Sequence, residues 1–177
     1  MSELSHPFPP VYNSESRILI LGTFPSVKSR ETAFYYGHPR NRFWKTLAAV
    51  FDAPIPTTVE EKTAFLHSHH IALWDTCAVC DIRGSADTTI RNVVPNDLSP
   101  ILETADIRAV FCGGKTAYRL YKQYQYPKTG IEAVCLPSTS PANAAVKDAE
   151  LVAAWAVIRE WGYYFQRKTK ATSSPLH

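Results

Sequence analysis

Arg17-Ile18-Leu19-Ile20-Leu21-Gly22-Thr23-Phe24-Pro25-Ser26 is a short apolar run that breaks into glycine, proline and hydroxyl residues. It reads as a buried strand, about Arg17 to Leu21, whose carboxyl end carries backbone amides and small side chains, the place where open α/β sheets bind ligands. Downstream, Phe34-Tyr35-Tyr36-Gly37-His38-Pro39-Arg40-Asn41-Arg42-Phe43-Trp44 interleaves aromatic rings, cations and one amide. That mixture suits flat, anionic ligands such as nucleotides.

Outward from this segment, strand-like and helix-like patterns alternate. Phe43, Trp44, Leu47, Val50 and Phe51 recur at helical spacing from Asn41 until Pro54. Thr58-Val59-Glu60-Glu61 matches a capping box for a second helix. Ile71–Asp75, Arg108–Cys112 and Glu132–Leu136 read as further strands. Between and after them, Asn96-Asp97-Leu98 opens a short helix, Gly113-Gly114-Lys115 turns into another with Ala117, Leu120 and Tyr121 on one face, and Ala149 to about Tyr164 forms the last. Alternation of this kind implies a parallel sheet with helices on both faces, since right-handed crossovers place them there. The expected fold is α/β, a three-layer α/β/α sandwich. One domain over residues 1–177 is expected, with a core at about 15–165, an extended proline-rich lead at Pro7-Phe8-Pro9-Pro10 and a mobile basic tail over 167–177.

At 177 residues the chain can bury roughly two-thirds of its unfolded surface in one core. No apolar run approaches the roughly 20 residues that cross a bilayer, and Met1–Pro7 has no basic n-region or apolar h-region. The expectation is an intracellular, cytoplasmic protein without membrane contact. Of the four cysteines, Cys112 and Cys135 lie in strand-like runs and Cys77-Ala78-Val79-Cys80 is a lone pair motif. Core thiols are expected rather than disulfides or a metal centre. The net charge of +3 is mild, but Lys28, Arg30, Arg40, Arg42 and Lys45 cluster around the aromatic segment. Phosphate contact and an ordinary solvated surface are both compatible with that cluster.

Three loops after strand ends are unusual: Gly22–Trp44, Asp75–Asp87, and Leu136-Pro137-Ser138-Thr139-Ser140-Pro141-Ala142-Asn143-Ala144. There is no G-x-G-x-x-G after the first strand, no P-loop and no G-x-S-x-G elbow, so dinucleotide, P-loop and serine-nucleophile chemistry lack support. Gly113-Gly114-Lys115-Thr116 is read as a strand-to-helix turn, and His67, His69 and His70 as polar groups at a helix end.

The strings Gly22-Thr23-Phe24-Pro25-Ser26, Phe34–Trp44 and Ser138-Thr139-Ser140-Pro141-Ala142-Asn143 together resemble the uracil-DNA glycosylase superfamily. Within it they are most similar to the deoxyinosine (hypoxanthine-DNA) glycosylases. The likeness spans nearly all of Arg17–Tyr164 and implies an α/β/α sandwich around a four-stranded parallel sheet. It implies monofunctional hydrolysis of the N-glycosidic bond of a flipped hypoxanthine, starting base-excision repair on nucleoid DNA, with no cofactor and no metal. The expected partner is DNA containing a deaminated base, met by a monomer. The alternatives are uracil as substrate, with or without mismatch specificity, and a noncatalytic nucleic-acid-binding module of the same fold.

Residue by residue, the resemblance places Gly22, Thr23, Phe24, Pro25, Ser26, Tyr36 and His38 on the substrate, with amides near Phe24 and Ser26 as donors and Tyr36 as the stacking ring. It places Arg40, Arg42, Ser138, Ser140, Pro141, Ala142 and Asn143 on DNA, Pro141-Ala142 forming a small wedge. Most of the superfamily carries Asp or Asn in the first loop to hold the attacking water, where this chain has Thr23 and Phe24. The resemblance moves that role to Asn41, whose carbonyl oxygen can orient water. The competing use of Asn41 is as a helix cap, and one residue can do both. Ser138–Asn143 equally suits a simple turn and capped helix. Asp75, Asp81, Arg83 and Ser85 match a string of the relatives without an evident chemical role, Asp81 and Arg83 being readable as a loop-shaping ion pair.

Overall fold

The computed structural model describes residues 3–83 and 89–161. In chain order it contains β1 (Glu3–Ser5), β2 (Ile18–Gly22), α1 (Val27–Thr32), α2 (Phe43–Val50), α3 (Val59–Ser68), β3 (Ile71–Asp75), β4 (Cys77–Asp81) and β5 (Arg91–Pro95). There follow α4 (Ser99–Thr104), β6 (Ala109–Gly113), α5 (Lys115–Tyr124), α6 (Tyr126–Thr129), β7 (Ala133–Leu136), a 3-10 turn over Pro141–Asn143 and α7 (Asp148–Trp155). Four strands form the expected parallel sheet in the order β3-β2-β6-β7. Gly22 pairs with Asp75 and Gly113 with Leu136, so the carboxyl ends line up along one edge.

All five residues of β2 are buried because helices cover both faces of the sheet. The period-two alternation of a strand divides them. Ile18 and Ile20 pack with Leu47, Leu66, Leu151 and Trp155, the layer of α2, α3 and α7. Leu19 and Leu21 pack with Ile101, Ala117 and Tyr121, the layer of α4 and α5. Each fully buried aliphatic contributes about 1.5–3 kcal/mol, so the central strand anchors both layers. Among the described residues no helix is long and apolar enough to cross a membrane.

Several expectations need correction. The segment after Asp75 is not an open loop as far as it is described: Cys77–Asp81 and Arg91–Pro95 are antiparallel strands that join β1 in a second sheet, order β1-β4-β5. Beneath it Phe24, Cys77, Cys80, Ile82, Ile90 and Leu120 form a third apolar cluster. The ordered core therefore starts well before residue 15, since Phe8 and Val11 are buried and Val11 bridges to Leu73. The first loop is interrupted by the short α1, whose cap is Ser26, its hydroxyl accepting from the Ser29 N–H at 3.1 Å. The 96–104 helix starts later, at Ser99, with the Asp97 carboxylate accepting its N–H. The last helix starts near the expected residue but ends its first segment at Trp155. Cys135 is exposed on edge strand β7 instead of in the core. Its register partner Cys112 is buried, and burial, with Cys135 adding, pushes that thiol up to about 12. Asp81 accepts from Asn92 rather than pairing with Arg83. The expected tail and Ser85 lie outside the described residues.

Candidate active site

The aligned strand ends open into a cavity of about 370 Å³, within the usual range of small-molecule sites. Gly22, Thr23, Phe24, Pro25, Ser26, Tyr36, His38, Asn41, Ser138, Ser140, Pro141 and Ala142 all line it. Ser29, Tyr35, Asp75, Gly113, Thr139 and Trp155 complete the wall, whereas Arg40, Arg42 and Asn143 are not part of it. The first and third loops thus meet at this cavity, joined by Asp75 from the end of β3.

The floor is set by a close approach at Gly22. A Cβ there would lie 2.5 Å from Asp75 Oδ1 and 2.9 Å from the Tyr36 hydroxyl, so only glycine lets those groups meet the strand end. Tyr36 itself adopts φ 55°, a left-handed conformation that costs a bulky residue about 1–3 kcal/mol. The reversal sends Tyr35 inward, where its hydroxyl donates to the Pro9 carbonyl, and lays Tyr36 flat on Phe43 at 3.8 Å and 12°. Burial, with the Asp75 charge adding, holds the Tyr35 phenol far above its ordinary pKa. Tyr36 is braced on Phe43 while its edge reaches the cavity floor.

Asn41 stands before α2. Its Oδ1 accepts the Phe43 N–H at 2.9 Å and the Thr139 hydroxyl at 2.9 Å, while the Arg42 N–H donates to the Thr139 carbonyl. The capping use is therefore realised, and both lone pairs of the carbonyl oxygen are engaged. This corrects the expectation that the oxygen orients water: the side of the amide with free capacity is Nδ2, which donates to no protein group. The Phe24 and Ser26 amides likewise donate to no protein group. His38 Nδ1 accepts the Arg40 N–H at 3.0 Å, which leaves the proton of the neutral ring on Nε2.

The third loop is held from below. Arg42 donates to the carbonyls of Val146 and Asn143 and to the Asp148 carboxylate, so it clamps the loop instead of presenting a free cation to DNA. Ser140 caps the 3-10 turn through the Ala142 N–H, and Asn143 Nδ2 donates to the Ser138 carbonyl. The turn-and-cap use of this loop is thus present, with Pro141 and Ala142 left at the lip. Lys45 pairs with Asp148 at 2.6 Å and Lys28 with Glu31 at 3.4 Å, which compensates much of the expected basic cluster. Together Lys45 and Arg42 hold the Asp148 carboxyl below its usual range.

Sequence reasoning missed one pair. His6, in the lead that reads as merely extended, donates from Nε2 to Asp75 Oδ2 at 2.8 Å, and both side chains are only 5% exposed. No local spacing signals it, because 69 residues separate the partners. Among the described residues, no group of three or more His, Cys, Asp and Glu side chains is placed to hold a metal ion.

A family model described as the uracil DNA glycosylase superfamily matches residues 9–159. A hypoxanthine DNA glycosylase of Methanosarcina barkeri (strain Fusaro / DSM 804) is 31% identical over 142 residues, covering 77% of this chain and 86% of the relative. The hypoxanthine DNA glycosylase of Methanosarcina acetivorans is 33% identical over 138 residues with the same coverage. The solution NMR structure of a candidate uracil DNA glycosylase from Methanosarcina acetivorans superposes with a TM-score of 0.72 at 30% identity, covering 86% of this chain and 96% of that one.

Proposed function

The chain belongs to the uracil DNA glycosylase superfamily and is a DNA N-glycosylase, and from that premise we propose that it excises hypoxanthine from deaminated adenine in DNA. The observation that carries the reading is the cavity wall itself. It combines a braced aromatic ring, the unbonded amides of Phe24 and Ser26, and the free amide nitrogen of Asn41. Two relatives of similar length named for hypoxanthine favour that base over uracil.

Flipping a nucleotide into the cavity costs a few kcal/mol, least where pairing is already poor, as in inosine opposite thymine. Breaking the bond leaves an oxocarbenium-like sugar and pushes negative charge onto the departing base. Fixed donors near Phe24 and Ser26 stabilise that charge without reorganising. The attacking water needs placement more than deprotonation, because the sugar is already electron-poor. Asn41 Nδ2 can hold the water oxygen from above α2 while a remaining lone pair faces C1′. The water oxygen bonds to C1′, the C1′–N9 electron pair leaves with the base, and a water proton finally neutralises the purine.

The test is release of free base from oligonucleotides carrying inosine, uracil or xanthine, with wild-type protein and Asn41→Ala side by side. Hypoxanthine release should fall on the order of 100-fold in the variant. Unchanged release would remove Asn41 from the mechanism, and no release of any base by the wild type would favour a binding module that lacks the first-loop acid.

A further inference from the structure

Asp75 is, among the described residues, the only carboxylate that lines the cavity, and none of the steps above uses it. It ends β3, with its backbone carbonyl taken by Asn96 Nδ2 at 2.8 Å. One carboxylate oxygen, Oδ2, is bonded to His6. The other, Oδ1, accepts no bond from the protein and lies over Gly22 beside the Tyr36 hydroxyl. A carboxylate oxygen that faces the cavity with no protein donor is open to a donor on a bound ligand.

His6 is held for this contact. Its ring is boxed by Phe8 at 4.9 Å, Phe24 at 5.8 Å, Tyr35 at 6.0 Å and Trp74 at 6.4 Å. Its own N–H donates to the Ala78 carbonyl, and the Phe8 N–H approaches Nδ1 at 3.5 Å. Those contacts leave Nε2 as the donor to Asp75. Phe24, from the first loop, supplies one wall of the box. The aromatic first-loop residue and the His6–Asp75 pair are therefore parts of one arrangement.

We propose that His6 is a positioning residue that holds Asp75 as an acceptor-only carboxylate, and that Asp75 Oδ1 reads the ring N1–H of the flipped base. The inference rests on the hypoxanthine reading above. Hypoxanthine carries a hydrogen on N1, whereas adenine and unsubstituted purine present a lone pair there. A carboxylate attracts the first and repels the others, so undamaged adenine is rejected at the floor of the site. An asparagine could not discriminate in this way, because its amide can turn a donor toward N1. Sites built to bond a substrate N–H reject analogues lacking it by up to about 10⁴–10⁵-fold.

The experiment measures release of hypoxanthine and of unsubstituted purine, from oligonucleotides containing deoxyinosine or deoxynebularine, by wild type, Asp75→Asn, His6→Ala and His6→Gln. The wild-type ratio should favour hypoxanthine. It should fall on the order of 100-fold in Asp75→Asn and at least 10-fold in His6→Ala, with His6→Gln, which retains a donor, recovering most of the loss. A variant that is merely less well folded lowers both rates in parallel and leaves the ratio unchanged, which would overturn the inference. An unchanged ratio in His6→Ala beside a collapsed one in Asp75→Asn would overturn the role of His6. A measurement on wild type alone guards against variants that fail to fold: release of 1-methylhypoxanthine as fast as hypoxanthine would also sink the proposal. Absence of any hypoxanthine release by wild type would instead overturn the proposed function.

Discussion

Gly22 shows how a missing side chain shapes this site. The strand end, the Asp75 carboxylate and the Tyr36 hydroxyl converge on the space its Cβ would fill, at 2.5 and 2.9 Å. Gly22→Ala should push one of the two polar groups off position. We expect base release to fall at least 10-fold with a loss of about 1–3 kcal/mol from overpacking, read by single-turnover release and urea unfolding. Wild-type rates in the variant would mean that Asp75 and Tyr36 do not act at the floor. Residue types at this scale were only partly legible. Asn41 stands out in the sequence because it sits among aromatic and cationic neighbours before a helix, yet which end of its amide is free depends on Thr139, 98 residues away. His6 carries no local signal at all, since its partner arrives only when the lead crosses the sheet edge.

Elements with strong periodicity were readable, and weak ones were not. The five buried residues of β2 and the apolar face of α5 have one consistent environment each, so pattern and packing agree. β4 and β5 form a short, bulged pair with mixed exposure, and their strand character comes from pairing, β4 with β1 and with β5, rather than from alternation. The start of α3 is the clearest local signal to survive: the Thr58 hydroxyl accepts the Glu61 N–H, and Glu61 Oε2 accepts the N–H groups of Thr57 and Thr58. Thr58→Ala should cost about 1 kcal/mol, measurable as a lower urea midpoint. Glu61 also sets a pH dependence. The Thr57 backbone bond and then its hydroxyl hold the folded Glu61 pKa below the ordinary value, so between those two values the unfolded chain binds more protons. Its contribution is complete above about pH 4.3, the ordinary value, and disappears as pH falls through the lowered folded one. A urea-midpoint profile from pH 6 to 3 should therefore drop less steeply in Glu61→Gln; identical slopes would show that the box does not titrate with folding.

Across the whole molecule, the +3 net charge overstates what is free to meet a phosphate backbone at the cavity mouth. Arg42 and Lys45 share Asp148, tying the start of α2 to α7, and Lys28 pairs with Glu31 within α1, so three of the cations that cluster in the sequence already have carboxylate partners. Arg40 is exposed, has no ion pair among the described residues, and follows the His38–Pro39 turn that borders the cavity. Salt should weaken DNA binding, with each neutralised phosphate adding about 0.9 to the slope of log affinity against log salt. Arg40→Ala should lower that slope by about one unit, because its charge is free to displace a counterion. Arg42→Ala should instead loosen the third loop, lowering stability as well as affinity while changing the slope less. Equal slopes for wild type and Arg40→Ala between 50 and 200 mM salt, the range over which such contacts respond strongly, would place the DNA-facing surface elsewhere on the molecule.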